Sequence, residues 1–116
     1  MERRIQHLLQ RLLGFHRYLY LFSRFKAATL RYDRNERDVL RLVELMPRDG
    51  VVLDIGANIG IMTVHLARRV DRGHVHAFEP VPDNLAVLRE IVRRGGLDNV
   101  TVHGIALGIR RTPWRW

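Results

Sequence analysis

No cysteine occurs among the 116 residues, which excludes a disulfide framework and a thiolate metal site. The length allows one domain at most, and the chain reads as intracellular, with a cytoplasmic location expected. Long apolar runs are missing too. Arg11, Arg17 and Arg24 break the early apolar stretch well short of the about 20 residues a spanning helix needs. The same breaks argue against a secretory signal peptide. No Gly-Lys-Ser/Thr sequence is present, so a P-loop is excluded.

Acidic residues are scarce at the two ends, and that scarcity decides how the net charge of +8 is read. Residues 1–31 hold seven basic side chains against Glu2, and residues 109–116 add Arg110, Arg111 and Arg115 with no acid. Between them, ten arginines face eleven acids over residues 32–108. The segment that carries the folding pattern is therefore close to neutral. A basic face on a folded core is not supported, and no nucleic-acid partner is expected.

Residues 51–60, Val-Val-Leu-Asp-Ile-Gly-Ala-Asn-Ile-Gly, organise the rest. Apolar residues, a carboxylate and two glycines around Asn58 read as a buried parallel strand that turns into a helix. Ahead of it, residues 3–22 start with helical periodicity in Ile5, Leu8, Leu9, Leu12 and Leu19, with Arg3, Arg17 and Arg24 roughly opposite. Gly14 is expected to be tolerated within that helix at about 1 kcal/mol. The plain expectation is a helix packed on the domain. A basic amphipathic helix lying on an anionic membrane or docking in a partner's groove stays open beside it. A second helix is expected after Asp33, whose carboxylate and Glu36 form a capping-box pattern, with Val39, Leu40 and Val43 as its stripe and Pro47 and Gly50 ending it.

Beyond the glycine turn, a helix over about 59–70 carries Ile59, Met62, Leu66 and Val70, and a strand His74 to Phe78 finishes on Glu79. Pro80 and Pro82 force an extended exit. Asp83 or Asn84 is expected to cap the next helix, with Leu85, Leu88 and Val92 inward, Gly95 and Gly96 stopping it and a third strand over 100–103. The fold class is therefore α/β: the N-terminal half of a doubly wound Rossmann-like sheet, strands ordered 3-2-1, preceded by two helices. The domain reading is a basic helical segment over 1–31, a partial nucleotide-binding domain over 32–108 and an irregular tail over 109–116.

Two acids mark the strand tips, Asp54 and Glu79. In dinucleotide folds an acid about 20 residues past the glycine turn accepts from ribose hydroxyls. Glu79 follows Gly60 by nineteen residues. A nicotinamide cofactor needs Gly-x-Gly-x-x-Gly for its diphosphate, whereas here Asn58 fills the middle position and Asp54 would repel phosphate. A cationic sulfonium would be attracted instead. A nicotinamide-dependent oxidoreductase therefore ranks below a methyl-donor cofactor. Asp54 also fits a role confined to its own turn, and Asn58 fits an N-cap. His74 and His76 share a strand face without a third ligand in view, so no metal is assigned.

The pattern Asp54-x-Gly56-Ala57-Asn58-x-Gly60, followed by Phe78-Glu79-Pro80-x-Pro82-x-Asn84, Asn99-Val100 and Ala106-Leu107-Gly108, resembles the FkbM-like branch of class I S-adenosylmethionine-dependent methyltransferases. The resemblance covers about residues 30–108. It implies that Asp54, Gly56, Asn58 and Gly60 border the methionine part of S-adenosylmethionine and that Glu79 holds its ribose. It further implies transfer of a methyl group to a hydroxyl oxygen of a sugar or other small molecule. A whole sheet of that family has strands in the order 3-2-1-4-5-7-6, and its acceptor contacts and any base lie at the fourth strand and beyond, so no catalytic residue is assigned here. A truncated or frameshifted reading frame, with Arg110 to Trp116 as out-of-frame tail, is the expectation. The strand over 51–55 would then keep one unpartnered edge, so self-association or poor solubility is expected of the chain alone. A monodisperse monomer with a cooperative melt counts against this.

Overall fold

The computed structural model of the chain describes residues 2–108, and the tail expected over 109–116, including Trp114 and Trp116, lies outside the described residues. Helices α1 (Glu2–Leu13), α2 (Phe15–Thr29) and α3 (Arg37–Glu44), with a 3-10 turn at Leu30–Tyr32, precede the sheet. Then come β1 (Val51–Ile55), α4 (Ile61–Arg69), β2 (His74–Phe78), α5 (Pro82–Arg94) and β3 (Val100–His103). The three strands are parallel and ordered β1-β2-β3, with Val51 opposite His74 and Val75 opposite Val100. The α/β class and the strand order expected above are both found.

Alternation of side chains across the pleat divides the sheet into two unlike faces. Val52, Val75, Ala77, Val100 and Val102 face α4 and α5, packing against Leu66, Ala67, Val70, Leu88 and Val92. Val51, Leu53 and Ile55 occupy the other face and stay 69%, 57% and 62% exposed, so the strand expected to be buried is covered on one face only, no described helix lying against the other. On that face His74, His76 and His103 gather: His74 Nε2 pairs with Thr101 Oγ1 at 2.7 Å, and His76 Nδ1 with His103 Nε2 at 3.0 Å. Cross-strand register brought His103 to the pair, which strand periodicity alone does not reveal. No metal-binding cluster of such groups exists among the described residues.

Helix α2 forms a further layer behind α4 and α5. Tyr20 packs with Ile59, Val87 and Ile91, and the fully buried Ser23 Oγ donates to the Ile59 carbonyl at 2.6 Å. This explains why α5 buries Val87 and Ile91 besides the expected Leu88. It is sandwiched between sheet and α2.

Five local expectations are corrected. The single helix expected over 3–22 breaks at Gly14, whose φ of 79° lies outside helical space, so three helices rather than two precede the sheet. Its first part also does not pack its apolar side on the domain, since α1 has no buried residue. The capping box at Asp33 and Glu36 does not form. Asp33 Oδ1 instead accepts from Asn35 N at 2.9 Å, and its main-chain carbonyl takes the amides of Glu36 and Arg37, delaying the helix to Arg37. Neither Asp83 nor Asn84 caps α5. Pro82 opens that helix, a position where the missing N–H costs nothing, after an extended Val81. Helix α4 likewise starts at Ile61, later than the expected 59.

Candidate functional site

The turn between β1 and α4 is held by the end of β2. Gly56 N and Ala57 N both donate to the Phe78 carbonyl at 3.0 Å, and Gly60 N closes back on the Ala57 carbonyl at 3.0 Å. Three residues of the turn have positive φ: Gly56 at 72°, Asn58 at 52° and Gly60 at 86°. Asparagine tolerates that conformation better than most side chains, which accounts for its place between two glycines. The two glycines differ in surroundings. A Cβ on Gly60 would meet Leu88 Cδ1 at 3.1 Å and Ile91 Cγ2 at 3.3 Å, whereas one on Gly56 would meet nothing within 4 Å. Gly60 is therefore needed for helix packing, and Gly56 leaves free space.

Glu79 is only 2% exposed. Its Oε1 accepts from Asn58 N and its Oε2 from Val81 N, each at 2.9 Å. One carboxylate thus ties the glycine turn to the exit of β2, which satisfies two amides that the turn geometry would otherwise leave unpaired.

Asp54 is half-buried at the tip of β1, and its Oδ2 accepts from Thr63 Oγ1 at 2.6 Å. Thr63 is fully buried in the first turn of α4, so this carboxylate sits beside the helix end where negative charge is favoured. Burial pushes the Asp54 pKa above the ordinary carboxylate value, with the Thr63 hydroxyl working in the opposite direction.

A cavity of about 320 Å³ opens over the turn. Asp54, Gly56 and Asn58 line it, while Gly60 and Glu79 are not among its walls. Its other side comes from the N-terminal helices: Phe22 and Lys26 of α2, Leu30, Asp33 and Glu36. The Lys26 ammonium lies 5.9 Å from the centre of the Phe22 ring. Sequence reasoning missed this wall. Asp33 and Glu36 carried a helix-capping signal, and nothing local pointed Phe22 or Lys26 at a turn about thirty residues away.

The walls therefore hold three carboxylates, Asp33, Glu36 and Asp54, against the single ammonium of Lys26. In a chain of net charge +8 this is a local inversion of sign. Such a cavity favours a cationic group over a diphosphate. Its size sits at the lower end of the about 300–1,000 Å³ typical of small-molecule sites.

No family model matches the chain. Over 37 residues it is 51% identical to the AMB antimetabolite synthetase AmbE of Pseudomonas aeruginosa, across 32% of this chain and 2% of that protein. It is 29% identical over 62 residues to Methyltransferase 1 of Beauveria bassiana, across 53% of this chain and 25% of that protein. Among solved structures, coclaurine N-methyltransferase bound to N-methylheliamine and SAH matches with a TM-score of 0.52 and 27% identity, across 59% of this chain and 21% of that one. The fold is that of Rossmann-like methyltransferases, of which the chain covers a part. It spans a quarter or less of each of these three relatives.

Proposed function

We propose that the chain is the cofactor-binding part of an S-adenosylmethionine-dependent methyltransferase of the FkbM-like kind, acting on a hydroxyl of a small molecule or sugar. The observation that carries the cofactor is the acidic cavity over the β1–α4 turn, three carboxylates to one ammonium. S-adenosylmethionine supplies an electrophilic methyl group on a sulfonium, and its methionine part also carries an ammonium. Asp54, Gly56, Asn58 and Gly60 are the residues proposed to border that part. Asp54 balances its positive charge, Gly56 leaves room for close approach, and Gly60 seats α4 so that the turn keeps its shape. Glu79 holds the turn by two amides, and the ribose contact proposed for it uses the lone pairs these leave, a carboxylate having about four, which requires the 2%-exposed group to be uncovered when the cofactor binds. The FkbM-like assignment rests on the two spaced patterns, Asp54 to Gly60 and Phe78 to Asn84. Positioning of the acceptor, on which most of the rate of an in-line displacement depends, belongs to elements beyond β3.

Calorimetry of the chain with S-adenosylmethionine, and separately with NADH, tests the reading. Asp54→Asn is expected to weaken S-adenosylmethionine about tenfold or more, the worth of one charge-assisted contact. Affinity is also expected to rise with pH from the ordinary carboxylate range up through the raised Asp54 pKa, because a cation binds the ionised form and binding there expels a proton. The sign for the free chain is opposite. A carboxyl whose folded pKa is raised stabilises the fold most below its unfolded pKa, and that contribution is lost as pH rises through the folded value. Preference for NADH, or an affinity indifferent to both pH and Asp54→Asn, overturns the assignment.

A further inference from the structure

Helix α1 takes no part in the cofactor reading and, unlike α2 and α3, buries none of its residues. All twelve of its residues lie outside the core, none being buried. Helices this short are marginal in water unless an apolar face is covered. Yet Ile5, Leu8, Leu9 and Leu12 are 54%, 57%, 39% and 71% exposed, while the half-buried Gln10 and Leu13 mark the side that meets α2. At 3.6 residues per turn, Leu8, Leu12, Ile5, Leu9 and Leu13 fall within an arc of roughly 140°, and Arg3, Arg4, His7 and Arg11 occupy the opposite arc. Glu2, the only acid of the helix, falls at the N-terminal end of the apolar arc, between the directions of Leu9 and Leu13 and away from Leu8 and Leu12. The break at Gly14 separates this helix from α2, which alone of the two is anchored by Tyr20, Ser23 and Ala27.

We propose that α1 seats the chain on the surface of an anionic lipid bilayer, with Ile5, Leu8, Leu9 and Leu12 entering the headgroup boundary and Arg4 and Arg11 meeting lipid phosphates at its flank. The charge pattern selects this occupant. Arg4 and Arg11 border the apolar arc next to Leu8, so a second copy of α1 packed on the same face brings like charges together with little but Glu2 to offset them. An anionic surface meets the same arginines with opposite charge, the arrangement of helices that lie in the interface plane. No described helix is long and apolar enough to cross a membrane, so the contact is peripheral with respect to these helices.

The test is co-sedimentation of the full chain with phosphatidylcholine vesicles, with and without phosphatidylserine. Binding is expected only to the phosphatidylserine vesicles and is expected to weaken as salt is raised. Arg4→Gln with Arg11→Gln is expected to reduce it about 25-fold, at about fivefold for each basic side chain near an anionic surface. Leu8→Glu with Leu12→Glu is expected to abolish it. Both double variants should keep the melting temperature of the parent chain, since neither pair contributes to the core. Equal binding to neutral vesicles, no binding to either, or unchanged binding by the leucine variant overturns the proposal. So does lipid-free dimerisation lost in the leucine variant, which assigns the face to a second copy.

Discussion

Glu79→Ala is expected to lower the stability of the chain by about 2–6 kcal/mol with no cofactor present. The carboxylate satisfies two amides, and each costs about 1–3 kcal/mol when a buried donor loses its partner. Asn58 and Val81 lie on different segments, so both the turn and the exit of β2 are released together. Urea unfolding followed by circular dichroism measures the loss as a shift of midpoint at constant slope. Glu79→Gln keeps one acceptor and presents an amide N–H₂ to the other donor, so its loss should be about half as large. A change within about 0.5 kcal/mol, the usual range for a surface substitution, would show that the carboxylate holds nothing in place. Weakened cofactor binding by Glu79→Ala does not by itself report a ribose contact, because the turn proposed to receive the cofactor is disrupted too.

The two glycines of the same turn should respond unequally to alanine. Gly60→Ala is expected to cost about 2–5 kcal/mol, combining roughly 1–2 kcal/mol for a left-handed non-glycine residue with about 1–3 kcal/mol for overpacking against Leu88 and Ile91. Gly56→Ala carries only the first of these, roughly 1–2 kcal/mol, since its Cβ meets nothing within 4 Å. Its larger effect is expected on S-adenosylmethionine, because the new methyl group occupies space beside a cavity that Gly56 lines. Paired denaturation and calorimetry separate the two. Equal losses of stability in both variants would refute the packing role assigned to Gly60.

The half of the molecule that lies after residue 50 was readable because its signals are local and mutually consistent. Val51 to Ile55 is an apolar run interrupted only by Asp54, Gly56 and Gly60 mark a backbone that glycine adopts without strain, and Gly95 and Gly96 stop a helix whose apolar period is intact. Spacing alone put Asp54 and Glu79 at neighbouring strand tips. What Glu79 does there was less legible, since its amide partners on Asn58 and Val81 depend on how the turn folds back. The helices before residue 50 were harder for the same reason. Asp33 followed by Glu36 satisfies a capping-box pattern, but the 3-10 turn at Leu30–Tyr32 delivers the chain in a geometry where the Asp33 carbonyl takes those amides. Tyr20, Ser23 and Ala27 form a buried stripe only because α4 and α5 lie beneath them, a long-range packing fact with no periodic trace among the aromatics of α2.

The Ser23 hydroxyl on the Ile59 carbonyl has an implication for what counts as the smallest working unit. Strand, glycine turn and following helix form a motif that can be recognised from residue 51 onward, yet the receptacle above it borrows Phe22 and Lys26 from a helix, and Leu30 from the turn that follows it, all encoded before the motif. Trimming the gene to the recognisable motif would therefore preserve the floor of the receptacle and discard a wall.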